Sequence, residues 1–298
     1  MLIDEEKGAS QRQEGKSMEH DEGQSPGARG LQLYYQQWRS EASTRAVIVM
    51  LHGDFAHSGW YPNLPAHEVP RGYAVYAFDR RGWGRSPGQR GYIHSWSDYL
   101  DDLAAFLEHV RSEEPGRPIF LMGHTGSSPI VLEYVLRHPQ DIHGVFCVSP
   151  VLDLSAVAPA ALRRLMHVLS HLWPHLTFDV KRQFDASAVY VSHDAAFVTF
   201  IRKDPLRNTR VTPRWLAEEE NAIQRVNAQA THFSVPLLIL IAGADRNSSP
   251  EASKTFFQQV ALSDKELHEY AGAYTNLLSD SLFEEVLSDI DKWLDGHV

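Results

Sequence analysis

The chain has 298 residues, 43% of them hydrophobic and 22% charged, with a formal net charge of −10. That length suffices for one large domain with a sizeable core, and the negative charge argues against nucleic acid or an anionic membrane as the main partner. Cys147 is the only cysteine, which excludes an internal disulfide. No apolar run approaches the roughly 18 residues of a membrane span. The polar first twenty residues offer no stretch suited to secretion, so the expectation is a cytoplasmic protein without a transmembrane segment.

Residues 1 to about 28 are rich in Glu, Gln, Lys, Ser and Gly and have almost nothing to bury, which predicts a disordered tail. An edge strand is expected to begin at Leu31 and Leu33. Continuous apolar runs follow at Ala46 to Leu51, Tyr73 to Phe78, Ile119 to Met122, Val145 to Val148 and Leu237 to Ile241. Runs of this kind are strands buried on both faces of a parallel sheet. Between them, Tyr99, Leu100, Leu103, Phe106, Leu107 and Val110 share one helical face, with Ser95 and Asp98 as a capping box and Gly116 as a stop. The alternation predicts an α/β fold with a mostly parallel, doubly wound sheet.

The rhythm breaks between Leu152 and Phe233, where the pattern is helical. Leu162, Leu165, Met166, Leu169, Leu172 and Trp173 mark one face, opposite Arg163, Arg164, His167 and His171. Residues 152–233 are therefore expected as a helical cap over the carboxyl ends of the strands, and residues 29–151 with 234–298 as the core. The same helix could instead simply pack on that core.

In Ile119 to Ser128, IFLMGHTGSS, a strand should turn sharply into a helix. LHGDFAHSGWY (Leu51 to Tyr61), GYAVYAFDRRGWGRSPGQRGY (Gly72 to Tyr92), Asp204-Pro205-Leu206 and AGADR before Pro250 follow in order. Over about residues 30 to 295 this series resembles the monoacylglycerol-lipase and lysophospholipase-like hydrolases of the α/β-hydrolase superfamily (serine aminopeptidase type). The resemblance implies the α/β-hydrolase fold with a helical cap. It also implies a G-x-S-x-G nucleophile elbow at Gly123 to Ser127, where the chain has Thr125 for the serine and Ser127 for the second glycine. Asp245 matches the triad acid. The triad histidine should follow Gly272, Ala273 and Tyr274, and the chain has Thr275 there. The oxyanion-hole positions become Asp54 and Gly126, and His57 and Asn276 are candidate pocket residues. Asp79, Arg80, Gly82, Gly84 and Arg85 match the family and are expected to brace their loop.

A hydroxyl is a useful nucleophile only when a neighbouring base takes its proton, and the Thr275 hydroxyl is no base near pH 7. The β-branched Thr125 also fits poorly at a positive φ, at a cost of roughly 1–3 kcal/mol. A carboxylate at Asp54 would oppose an oxyanion unless it points into solvent. His57 is the candidate stand-in base; His124 reads as a packing residue, His268 as structural and Cys147 as inert core. The sixteen histidines show no metal-ligand spacing, and no phosphate loop or dinucleotide fingerprint is present, so neither metal nor cofactor is implied.

Three readings follow from the resemblance. One is a degenerate hydrolase that binds an acyl or other apolar small molecule, or a partner protein or membrane surface through its cap. The others are an active carboxylic ester hydrolase using Thr125, and a repurposed lyase or cyclase.

Overall fold

The computed structural model describes residues 18–41, 43–155 and 158–298. Its centre is an eight-stranded sheet in the order β1-β2-β4-β3-β5-β6-β9-β10. These strands are β1 (Met18–Pro26), β2 (Gln32–Ser40), β3 (Ala46–Leu51), β4 (Tyr73–Phe78), β5 (Ile119–His124), β6 (Gly144–Val148), β9 (Leu237–Ala242) and β10 (Lys265–Tyr270). Pairing is parallel from β4 to β10 and antiparallel at β1 and β2. All six residues of β3, of β4, of β5 and of β9 are buried. Along β3 the side chains alternate between two cores. Val47, Val49 and Leu51 meet one, with α2 (Ser97–Glu113), α3 (Ser128–Arg137) and α8 (Pro250–Gln259). Ala46, Ile48 and Met50 meet the other, with α1 (Asn63–Glu68) and α9 (Phe283–Asp295).

Strand β1 corrects the expectation of a tail reaching residue 28. Residues 18–26 pair along their whole length with β2. Main-chain bonds hold the strand: of its side chains only Ser25 is buried. His20 stacks on Trp38 with centroids 4.9 Å apart, and Glu22 pairs with Arg85 at 2.7 Å. Charges along an unpartnered edge are how sheets resist further pairing. The rest of that expected tail, residues 1–17, lies outside the described residues.

Between β6 and β9 lie α4 (Ala160–Leu172), the two-residue strand β7 (Phe178–Asp179), α5 (Lys181–Ser187), α6 (Ala195–Lys203), β8 (Arg210–Val211) and α7 (Pro213–Ala228), with β7 pairing to β8. Helix α7 is fixed to the core by Arg225, which reaches Glu133 of α3 at 3.0 Å. Helix α4 turns its polar side inward: Arg163 and His167 both bond Glu220 of α7, at 3.0 and 3.1 Å. Leu162, Leu165, Leu172 and Trp173 are consequently exposed. Among the described residues no helix is long and apolar enough to cross a membrane.

Candidate functional site

Thr125 stands at the sharp turn from β5 into α3, with φ at +47°. A β-branched residue is costly in this region, and neighbouring close contacts hold it there. A Cβ on Gly53 would lie 2.3 Å from Thr125 Oγ1 and 2.6 Å from His124 Nδ1, so only glycine fits opposite the threonine. Gly123 is equally constrained, since a Cβ there would come within 2.8 Å of the Ser128 backbone. Ser127, at the position of the motif's second glycine, has an ordinary helical backbone. Its hydroxyl donates to the Leu51 carbonyl at 2.7 Å and accepts the His124 N–H at 2.9 Å, tying the elbow to β3.

Asp245 lies in the turn after β9 and accepts N–H groups from Asn247 and Ser248 and the Ser248 hydroxyl. Burial raises its carboxyl above the usual range, offset by the hydrogen bonds from Ser248 and Thr275. Thr275 is buried, and its hydroxyl donates to Asp245 Oδ1 at 2.6 Å and accepts from Asn247 Nδ2 at 2.8 Å. The Tyr190 carbonyl, from the segment between α5 and α6, closes over Thr275 Oγ1 at 3.2 Å. The adjoining Asn276 is also buried, and its N–H donates to the Val191 carbonyl at 2.8 Å. Asp245 and Thr275 are thus joined directly. The hydrogen-bond partners of the Thr275 hydroxyl are Asp245, Asn247 and Tyr190, with Thr125 not among them.

Of the histidines around this turn, His57 is engaged elsewhere, while His124 Nε2 has no hydrogen-bond partner among the described residues. His57 Nε2 lies 2.7 Å from Asp204 Oδ2, and its Nδ1 accepts the Gly59 N–H at 3.1 Å, which leaves neither ring nitrogen for Thr125. Burial works to raise the Asp204 carboxyl, yet hydrogen bonds from His57 and Trp60 bring it down to about 2. His124 accepts from the Tyr61 hydroxyl at 2.9 Å, and that oxygen accepts the Gly53 N–H. Burial, partly offset by the Thr275 backbone, holds the His124 ring down to about 4, so it is neutral and a weak base. Cys147 is buried, and burial pushes its thiol up to about 12. His268 pairs with Glu266 on the exposed side of β10.

In the loop after β3, Asp54 Oδ2 lies only 1.8 Å from where a Cβ on Gly126 would be. The carboxylate therefore fills the side-chain space of residue 126 rather than pointing into solvent. Arg80, buried against the Trp83 and Tyr99 rings at 5.1 and 5.3 Å, donates to Asp54 at 2.9 Å. Glu219 of α7 completes the cluster: burial and then the neighbouring Asp54 push its carboxyl well above the usual range. Sequence reasoning missed Glu219 because it stands in a run of three glutamates that reads as a solvated helix face. Elsewhere in this loop Asp79 accepts N–H groups from Ser58 and Arg85, and a Cβ on Gly84 would collide with its carboxylate. A cavity of about 330 Å³ lies beside α4, lined by apolar side chains including Leu154, Met166, Val180 and Leu216.

The profile of the family described as serine aminopeptidase, S33, matches residues 42–281. The chain belongs to that family. It is 26% identical over 273 residues to a monoacylglycerol lipase of Mycolicibacterium smegmatis, covering 91% of this chain and 96% of that one. It is 27% identical to phospholipase YtpA of Bacillus subtilis, covering 88% and 99% of the two chains. Among solved structures, the monoacylglycerol lipase of Paleococcus ferrophilus superimposes with a TM-score of 0.80 at 29% identity, over 89% of this chain and 99% of that one. A soluble variant of the Saccharomyces cerevisiae monoglyceride lipase, bound to a substrate analogue, gives a TM-score of 0.83 at 23% identity, over 92% and 95%. That last likeness is one of fold. The family member described here is thus an α/β-hydrolase of monoacylglycerol-lipase-like architecture.

Proposed function

We propose that this protein is a degenerate hydrolase. It takes an acyl chain or another apolar small molecule beneath the helical segment 152–233 and does not cleave it. The observation that carries the proposal is the hydrogen bond from Thr275 to Asp245 at 2.6 Å. In a working triad the acid orients an imidazole whose second nitrogen takes the nucleophile's proton. Here the acid orients a hydroxyl, which has no basic site near neutral pH; both ring nitrogens of His57 are bonded elsewhere, and burial holds the His124 ring down to about 4. The ligand class rests on the lipid-ester names of the similar proteins and on the apolar cavity beside α4.

One observation favours a second reading, in which the residues at the elbow perform a non-hydrolytic reaction. Glu219 is buried beside Asp54, where burial and then Asp54 push its carboxyl well above the usual range, and could serve as a general acid.

Both readings are tested by incubating the full-length protein with a fluorescent long-chain fatty-acid probe, with a monoacylglycerol as competitor and glycerol release measured in the same sample. Displacement of the probe without glycerol release is expected. Release that disappears in Thr125→Ala overturns the proposal. Chemical conversion of the ligand without glycerol release, lost in Glu219→Gln, moves the assignment to the second reading.

A further inference from the structure

On the face of the sheet covered by α1 and α9, away from the elbow, three side chains of metal-ligand type converge. His67 and Glu68 end α1, Asp291 lies on α9, and one donor atom from each is within 4.8 Å of the other two. His67 Nε2 is 2.8 Å from Asp291 Oδ2. Glu68 has no exposed surface, and neither of its carboxylate oxygens has a hydrogen-bond partner. An ionised carboxylate in that position needs a counter-charge. The two arginines nearby are already committed. Arg71 reaches Asp291 Oδ1 at 2.9 Å and Asp295 at 3.6 Å, while Arg45 reaches Asp295 at 2.9 Å.

We propose that His67, Glu68 and Asp291 bind a divalent transition-metal ion that clips α1 to α9. The donor set selects the metal. An imidazole nitrogen with two carboxylate oxygens suits zinc, whereas calcium and magnesium take oxygen ligands. Zinc bonds of about 2.0–2.2 Å put neighbouring ligand atoms roughly 3.3 Å apart. The three side chains reach that spacing by an inward rotation of the widest pair, a movement of about 1 Å or slightly more. The His67 side chain is 34% exposed, which opens a path for the ion and for a water as fourth ligand. The clip joins the helix that follows the oxyanion loop to the last helix of the chain.

A proton shared between Glu68 and Asp291 is the competing source of compensation, and the experiment separates the two. Chelator-treated full-length protein is titrated with zinc by calorimetry, its thermal midpoint is recorded with and without zinc, and crystals grown with zinc are measured at the zinc absorption edge. The expected result is one tight equivalent, a raised midpoint and an anomalous peak among the three side chains. His67→Ala and Glu68→Gln should each weaken binding by more than about tenfold, at least the loss seen when only a ligand's supporting partner is removed. His67→Ala carries the test if Glu68→Gln does not fold, because His67 lies partly at the surface. Absence of tight binding, binding that survives both substitutions, or an anomalous peak elsewhere overturns the proposal. So does a Glu68→Gln protein of undiminished stability whose midpoint zinc leaves unchanged, which would assign the site to the shared proton.

Discussion

Asp54→Ala removes the carboxylate that bonds the guanidinium of Arg80, and its cost can be worked from the geometry. Arg80 is 1% exposed, its Nη2 meets Asp54 at 2.9 Å and the Gly53 carbonyl at 3.0 Å, and its Nε and Nη1 have no partner. Breaking a buried ion pair by deleting one member costs about 3–5 kcal/mol, because the other charge is left uncompensated. Here Glu219 can take over. With Asp54 gone it loses the like-charge neighbour that helps keep it protonated, so it ionises beside Arg80 once the pH is high enough. The loss should therefore be about 3 kcal/mol at pH 5 and smaller at pH 8, where Glu219 ionises more readily. Urea unfolding of the wild type and of Asp54→Ala at both pH values measures this. Measured against Glu219→Gln alone, the double substitution Asp54→Ala with Glu219→Gln should keep the full loss at both. A loss below about 1 kcal/mol at pH 5 would show that Asp54 does not balance Arg80, and a loss independent of pH would show that Glu219 does not take over.

Glu219→Gln alone bears on the same cluster. The folded-state carboxyl is raised above its ordinary 4.5, so the stability linked to its proton is complete below that value. It is lost as the unfolded chain releases the proton at higher pH. Wild-type stability should fall by up to about 1.4 kcal/mol per pH unit above this point, and Glu219→Gln should flatten the slope. Unfolding curves from pH 4 to pH 8 check the sign. Thr125→Ser combined with Thr275→His should produce measurable hydrolysis of short-chain esters. Either change alone should give less than about a tenth of that rate, because triad members act as a unit; a single change as active as the pair would contradict the triad alignment.

The strands buried on both faces were plain in the sequence, because β3, β4, β5, β6 and β9 carry continuous apolar runs. Strand β1 was not, since Glu19, His20, Asp21 and Glu22 have nothing apolar to alternate and are held by backbone pairing with β2. The positive φ of Thr125 and the meeting of Thr275 with Asp245 follow from the motif order. What periodicity cannot show is which charges meet in space. Asp54, Arg80 and Glu219 come from three distant segments, and Gly126 is glycine because Asp54 occupies its side-chain volume. The commitment of His57 to Asp204 and the outward apolar face of α4 are likewise tertiary facts. Arg163 and His167 of α4 meet Glu220, while Leu162, Leu165, Leu172 and Trp173 face outward.

The central claim is that Thr125 is not an activated nucleophile, and a fluorophosphonate probe tests it most directly because it reacts only with an activated hydroxyl. Purified full-length protein, incubated with the probe near neutral pH and read by intact mass, should remain unlabelled, since Thr275 cannot accept the proton of Thr125. Stoichiometric labelling that maps to Thr125 and is abolished by Thr125→Ala would contradict the account and identify an active enzyme with a base other than Thr275.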